Sequence, residues 1–510
     1  MSATTSSPVD GVAVARQAVI NRLAELGSVY AGETAIEFED RTWTWGEVGV
    51  LAQDLHRILN DYRYPATIPV AVVLRQRPEV LSAQLGILAG GRSATSISPL
   101  AGDDTLRHEI EATAPSAVIA QTADWTRTGF ESACRRCGTL GLEVASDGHI
   151  SVRTNGLIPP DRQMPMPGSA VTVLTSGTTG PAKRLPVSWP TFVEMAGGVQ
   201  GRPCRSGRGS LILATPLATL GGLLSTARLV FGGRPLAMME RFDVRQWAEL
   251  VRRHRPRIIG APPPVVQMIL DADIPADCFR GAEAYMTSSA PIPPETMNAF
   301  EARYGIPVLL GYGATEFLSS VTQWTLDLWR QYGRAKLGSV GRASPGVRLR
   351  IVEENSGAEI PTGQEGILEV DSPRRADGLP PGWLRTNDRA RIDEDDFLWI
   401  VGRADDIIIR GGFKVDLTQI ESALRSHPAV SDALAVALPD LRLGRVPAAM
   451  VVLCPTEPRN EPDETDVIEF VKQMLPPYAV PVRVRRVDAI PRTSTMKASR
   501  AIAAETLAQD

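Results

Sequence analysis

Short apolar runs alternate with helix-period segments through the first half of this 510-residue chain, and no other feature restricts its fold as much. Ile68 to Leu74 reads as a buried strand. Pro78 to Ala89 reads as a helix with proline in its first turn, packing through Val80, Leu81, Leu85 and Leu88. Asp103 to Ala114 is a second helix, followed by a strand at Ala117 to Ala120. Val171 to Leu174 is a strand, and a helix at Trp247 to Arg253 precedes a strand at Arg257 to Ile259. Such alternation implies parallel sheets covered by helices. After about Lys336 the texture changes: Val347 to Val352, Gly366 to Val370 and Phe397 to Val401 are short strands separated by turns such as Asn355-Ser356-Gly357. Beyond Asp405 the pattern is mixed, with helices at Leu417 to Arg425 and Glu464 to Leu475 and strands at Ala433 to Leu438 and Ala448 to Leu453.

The length is too great for one ordinary core. A hydrophobic share of 43% and a charged share of 22% are ordinary globular values. A net charge of −4 gives no ground for a nucleic acid or an anionic membrane as partner. The start of the chain has neither a basic nor an apolar segment of signal-peptide type. The longest uncharged apolar stretch, Leu211 to Ala227, contains Pro216, Gly221 and Gly222, falls short of a bilayer span, and reads as buried. Five cysteines make no disulfide framework, which fits a reducing cytoplasm. Cys134 and Cys137 form a lone C-x-x-C with no second pair, so zinc is not expected.

The strand at Val171 runs into Thr175-Ser176-Gly177-Thr178-Thr179-Gly180-Pro181-Ala182-Lys183. Glycines let backbone N–H groups close around an anion, while hydroxyls and a lysine add donors and charge. At the carboxyl end of a strand in an open α/β sheet this suits a nucleotide polyphosphate. The spacing is not that of a Walker A loop, because Arg184 stands where Ser or Thr should follow the lysine. Taken alone, such a run is more often a plain loop.

Three other stretches change that weighting. Gly311-Tyr312-Gly313-Ala314-Thr315-Glu316 follows the apolar run Val308 to Leu310. A tyrosine between glycines can lie beside a flat base, Thr315 can meet a phosphate, and Glu316 is a hard oxygen ligand for Mg²⁺. Asp388, in Trp383 to Asp388, can accept both hydroxyls of a ribose, and Arg403, in Gly402 to Asp406, can add a donor beside it. Lys497 closes Pro491 to Lys497 near the carboxyl terminus. Singly, each has a bland reading as a turn, a surface ion pair or a solvated charge.

In order and together, these stretches resemble the adenylate-forming enzymes, the superfamily of acyl-CoA and aryl-CoA synthetases and nonribosomal adenylation domains. The resemblance covers roughly residues 30 to 505. Thr175 to Lys183 is similar to the family's phosphate loop, and Ser288-Ser289-Ala290-Pro291 to its adenine-side strand. Tyr312 to Glu316 matches its Tyr-Gly-x-Thr-Glu, Asp388 and Arg403 take its ribose positions, and Lys497 takes that of its catalytic lysine. Gly402 to Ser422 is similar to its hinge and post-hinge segment, with Asp405 at the hinge. The resemblance implies an α/β fold with a large N-terminal domain, 1–403, built of two parallel-type sheets plus a small β-rich subdomain at about 336–402. A small mobile α+β domain, 404–510, follows. It also implies ATP, Mg²⁺ and CoA (or a phosphopantetheine thiol) as reaction partners. Lys497, Thr315 and Glu316 would carry the adenylation. Rotation at Asp405 would then withdraw Lys497 and bring Gly411 and Gly412 to the thiol side.

The chain departs from the pattern at several points. Ala182 and Arg184 replace Pro and Gly in the phosphate loop, Ser288 and Ser289 replace two glycines, Asn387 precedes the ribose aspartate, and Met496 precedes the lysine. Thr219 falls where many members carry His or an aromatic; with Leu223, Ala314 and Phe317 it makes a mostly apolar candidate acyl pocket, which suits an aliphatic or aromatic acid. The reading placed first is a cytoplasmic carboxylate–CoA ligase, monomeric or homodimeric, with no integral membrane segment. The second is a ligase that loads a separate carrier protein, since only 13 residues follow Lys497. The third is a non-catalytic nucleotide- or acyl-binding homologue.

Overall fold

The computed structural model describes residues 8–99, 102–156, 168–174, 184–196, 209–376, 378–411, 413–454, 462–493 and 497–509. The apolar run at Val70–Val73 forms the middle of a seven-stranded sheet. Its order is Ile150–Thr154, Leu140–Val144, Ala117–Gln121, Val70–Val73, Ala94–Ile97, Ser169–Leu174, Arg184–Ser188. The five inner strands are parallel and the two outer ones antiparallel. All four residues of Val70–Val73 are buried, as a parallel strand covered on both faces requires.

The helix Pro78–Ala89 has the expected bounds, and every residue from Pro78 to Leu88 is buried. It packs against the helix Trp45–Asp61. Gly86 permits the close approach, since a Cβ there would lie 3.1 Å from the Cα of Ala52. The helix Trp45–Asp61 starts on a capping box: Glu47 N donates to Thr44 Oγ1 at 3.2 Å, and Thr44 N donates to Glu47 Oε2 at 2.7 Å.

The second α/β layer consists of a four-stranded sheet, Leu211–Ile212, Leu236–Met238, Thr34–Phe38 and Arg41–Thr44, and a parallel three-stranded sheet, Ile258–Gly260, Ala284–Ser288 and Val308–Gly311. Trp247, fully buried on the helix Val244–His254, packs among Phe242, Phe279 and Tyr285 at the core between them.

The small β-rich unit is a four-stranded antiparallel sheet of Arg348–Val352, Gly366–Asp371, Leu384–Ile392 and Leu398–Arg403. The sequence reading did not foresee the strand Leu384–Ile392, which carries Asp388. The carboxyl-terminal unit pairs the hairpin Ile407–Arg410/Phe413–Asp416 with the long hairpin Val430–Asp440/Gly444–Leu453. The helices Leu417–Arg425 and Glu464–Lys472 close its core through Ile420, Leu424, Val467 and Val471. Among the described residues no helix is long and apolar enough to cross a membrane.

Candidate active site

The strand Val308–Gly311 delivers Tyr312 to the core of the small β-rich unit. Its register sets Gly311 opposite Ser288. Tyr312 N donates to Thr322 Oγ1 at 3.0 Å, which fixes the backbone at the turn. Gly313 is required, because a Cβ there would come within 2.5 Å of the Ser319 carbonyl oxygen. Thr315 and Glu316 follow in the short helical turn Thr315–Phe317.

The Tyr312 hydroxyl donates to Asp388 Oδ2 at 2.5 Å. Asp388 is seated by its own backbone, whose N–H donates to Thr386 Oγ1 at 3.1 Å. Across the ladder Asp388 pairs in register with Arg403, and Arg403 Nη1 lies 3.8 Å from Asp388 Oδ1. The rest of the guanidinium grips Asp405: Nε donates to Oδ1 at 2.7 Å and Nη2 to Oδ2 at 3.0 Å. The two expected ribose residues and the expected hinge residue therefore form one charged row. Sequence reasoning named Tyr312 and the members of that row but not the bond between the Tyr312 hydroxyl and Asp388, because a contact spanning 76 positions leaves no local signal.

Burial raises the Asp388 carboxyl above its usual range, against the Tyr312 hydrogen bond and the charge of Arg403. Burial also raises the Tyr312 hydroxyl, and Asp388 adds to that. Lys497 belongs to the same electrostatic group. Its ammonium is lowered by burial and by Arg403, and supported by Asp388 and Glu316. Its loop closes where Thr493 N donates to the Lys497 carbonyl at 2.7 Å and Arg492 bridges Ala498. Lys497 of the carboxyl-terminal unit is thus within electrostatic range of Arg403, Asp388 and Glu316 of the large one.

Ser289 follows the strand Ala284–Ser288 with φ +84°, a left-handed value that favours glycine. Ser288 lies in the strand and has no positive φ. Of the two serines that replace glycines, only one therefore sits where the backbone asks for glycine. Ala290 and Pro291 continue from that turn.

The expected phosphate-loop residues Thr175, Ser176, Gly177, Thr178, Thr179 and Lys183 lie outside the described residues, as do Gly412 and Met496. The loop's two flanks are described: Leu174 pairs with Arg184 across the strands, and Arg184 forms an ion pair with Glu109 on the helix Asp103–Thr113. Gly411 has φ +55°, and its N–H donates to the Leu443 carbonyl at 2.9 Å.

The candidate acyl-pocket residues divide. Phe317 is only 1% exposed and packs with Val321, Ile351 and Leu368 in the small β-rich core, so its ring is committed there rather than to a pocket wall. Leu223 is likewise a core side chain. The Thr219 hydroxyl caps the helix Leu220–Gly232, donating to the Pro216 carbonyl at 2.7 Å and accepting from Gly222 N at 3.2 Å. Ala314 is half-buried beside Tyr312. A separate cavity of about 360 Å³, lined by Glu37, Glu39, Asp40, Gln246, Glu249 and Arg253 among others, shares no residue with this site.

Comparison with known proteins adds independent information. Residues 24–379 match the AMP-binding enzyme family, and residues 419–497 match the AMP-binding enzyme C-terminal domain. The chain is 25% identical to acyl-coenzyme A synthetase ACSM3, mitochondrial, of Mus musculus over 91% of its own length and 84% of that protein's. It is 30% identical to sulfoacetate–CoA ligase of Cupriavidus necator over 68% of its length and 67% of that protein's. ATP-bound MatB of Rhodopseudomonas palustris has a similar fold, with a TM-score of 0.77 and 22% identity over 96% of this chain and 98% of that one.

Proposed function

This chain belongs to the AMP-binding enzyme family, and we propose that it joins a carboxylic acid to the thiol of CoA while ATP is cleaved to AMP and pyrophosphate. One observation carries the reading at the level of the site. Tyr312 and Arg403 both meet Asp388 in the large unit, and Lys497 of the small one lies in the electrostatic field of Asp388, Arg403 and Glu316.

The chemistry needs that arrangement. A carboxylate is a poor nucleophile toward an anionic triphosphate, so like charges must be neutralised and the reactants held in line. The Asp388 carboxylate accepts the ribose hydroxyls, and Arg403 favours its charged form against the effect of burial. The Tyr312 hydroxyl fixes the other face of that carboxylate. Lys497 stands between the incoming carboxylate and the α-phosphate and offsets the charge that builds there. The acid oxygen bonds to the α-phosphorus and the bond to pyrophosphate breaks, which leaves an acyl-adenylate. The thiol sulfur then attacks the acyl carbon, loses its proton, and AMP departs.

Mg²⁺ bound with ATP would offset phosphate charge. Glu316, a carboxylate in the field of Lys497, suits it, and among the described residues no three-ligand cluster competes for an ion that keeps most of its ligands as phosphate and water oxygens. The acid in this reading is aliphatic or aromatic, with Ala314 beside Tyr312 and Thr219 at the start of the helix Leu220–Gly232 as the remaining wall candidates. Cys134, Cys278 and Cys454 are free thiols, which supports a reducing, cytoplasmic setting.

Pyrophosphate release across a panel of short aliphatic, long aliphatic and aryl acids tests the reading, with the wild type beside Lys497→Ala. Acid-dependent release that the variant loses is the expected result. No release with any acid would overturn it. Thioester formed only on a holo-carrier would replace CoA by a carrier-bound phosphopantetheine.

A further inference from the structure

Arg500 stands three residues beyond Lys497, at the first position of the helix Arg500–Ala508. Its guanidinium holds Asp406 as a fork, Nε to Oδ1 at 2.9 Å and Nη2 to Oδ2 at 3.0 Å. Its Nη1 donates to the Ala435 carbonyl at 2.5 Å and to Glu421 Oε1. Glu421 is itself held, because Ala435 N donates to it at 3.0 Å. One side chain therefore joins the helix after Lys497 to the helix Leu417–Arg425, the strand Val430–Asp440 and the turn Ala404–Asp406.

That turn is where the site and the lysine loop meet. Asp406 is one peptide bond from Asp405, Asp405 holds the fork of Arg403, and Arg403 faces Asp388. The row Asp388, Arg403, Asp405, Asp406, Arg500 thus runs from the ribose carboxylate to the base of the Lys497 loop. Two hydrogen bonds flank Lys497, Thr493 N to the Lys497 carbonyl at 2.7 Å and Ser499 N to the Pro491 carbonyl at 2.8 Å. Arg500 carries the link to the turn.

We infer that Arg500 is a positioning residue for Lys497 in the adenylate-forming step, setting the lysine's distance from the ribose site through its fork to Asp406. The inference rests on the proposed function. Misplacing a reacting group by about 1 Å can cost about 10²-fold in rate, so a long lysine on a loop needs such an anchor. A lysine at 500 would keep the charge but not the planar fork. The requirement is confined to one half of the reaction. Charge neutralisation by Lys497 is needed when carboxylate meets triphosphate, not when a thiol attacks the finished adenylate.

The test measures both halves in the full-length protein. ATP–pyrophosphate exchange with saturating acid reports the first, and thioester formation from synthetic acyl-adenylate and CoA reports the second. Wild type is compared with Arg500→Lys, Arg500→Gln, Asp406→Asn and the Asp406→Asn/Arg500→Gln double variant. Each single variant is expected to lower kcat for exchange about 10- to 100-fold. The KM for ATP should stay within about threefold and the thioester half within about twofold. The double variant should be no worse than the poorer single one, because both break the same fork. Equal losses in both halves, or a change in KM alone, would overturn the inference. If Arg500→Gln does not fold, Arg500→Lys and Asp406→Asn decide. Absence of exchange in the wild type with every acid would overturn the proposed function, and this inference with it.

Discussion

Replacing Ser289 by glycine should stabilise the protein, and the neighbouring replacement should do the opposite. Ser289 holds φ +84° directly after the strand Ala284–Ser288. A side chain in a left-handed conformation costs about 1–2 kcal/mol, because its Cβ crowds the following carbonyl. Glycine removes that strain but loses about 0.5–1 kcal/mol through the greater freedom of its unfolded chain. The net gain for Ser289→Gly is about 0.5–1 kcal/mol. Ser288 lies in the strand, opposite Gly311, without a positive φ. Ser288→Gly therefore gives up about 0.5–1 kcal/mol with no strain to relieve. Ser289→Ala keeps the Cβ and the strain, and should leave stability within a few tenths of a kcal/mol of wild type. Urea unfolding of the three variants, followed by tryptophan fluorescence, reads the ordering directly. Trp247, buried in the core against Tyr285 of the strand that runs into the turn, is a suitable reporter. If Ser289→Gly lowers the midpoint, or if the two glycine variants shift it alike, the strain argument fails.

Other predictions concern the charged row and the loop flank. The Lys497 ammonium is lowered by burial and by Arg403, and adenylation needs the charged form. The kcat/KM for ATP should therefore fall as pH rises through that lowered pKa. Lys497→Arg, which does not titrate there, should lack this alkaline limb, and a limb that persists would refute the assignment. Lys497→Ala should slow adenylation by about 10²- to 10³-fold, as when one transition-state donor is lost; a pyrophosphate-release assay checks this. The Asp388 carboxyl is raised in the folded protein, chiefly by burial, so the folded state binds more protons than the unfolded one as pH climbs above the unfolded value. Stability contributed at low pH is thus lost as pH rises through the folded pKa. Asp388→Asn should raise the neutral-pH unfolding midpoint while weakening AMP binding by about 10- to 100-fold, the loss of hydrogen bonds to a charged group; calorimetry of both quantities checks it, and a lowered midpoint would refute it. Arg184→Gly should destabilise by about 1–3 kcal/mol because it leaves the Glu109 carboxylate, raised by burial, without its ion-pair partner. Adding Glu109→Gln should restore part of that loss, and strict additivity in the double-mutant cycle would refute the coupling.

What the sequence made legible follows from where its signals are local. The helix Pro78–Ala89 has its expected bounds because proline starts it and an unbroken apolar run carries it. The helix Leu417–Arg425 also has its expected bounds, with Asp416 capping the N–H of Thr418. The strand Leu384–Ile392 was missed because Arg385, Asp388, Arg389 and Arg391 hide its pleat. Its stability comes from ladder bonds on both sides and from pairs such as Arg389 with Asp416, which cross units and leave no periodicity. The hairpin Ile407–Arg410/Phe413–Asp416 was read as a hinge signature rather than as strands, since motif and secondary structure overlap there. At the site, Asp388 and Arg403 were found as residue types suited to a ribose. Their cross-strand register and the Tyr312 hydroxyl on Asp388 are tertiary facts that no window of sequence contains.

The central claim is that residues of two units build one site that first adenylates an acid and then passes it to a thiol. The most direct measurement quantifies AMP and acyl-thioester together, by chromatography and mass spectrometry, after incubation with ATP, Mg²⁺, CoA and an accepted acid. The account predicts equal amounts of AMP and acyl-CoA. Omitting CoA should leave enzyme-bound acyl-adenylate, and Lys497→Ala should form both products about 10²- to 10³-fold more slowly. ADP in place of AMP, or thioester formed at the wild-type rate by Lys497→Ala, would contradict it.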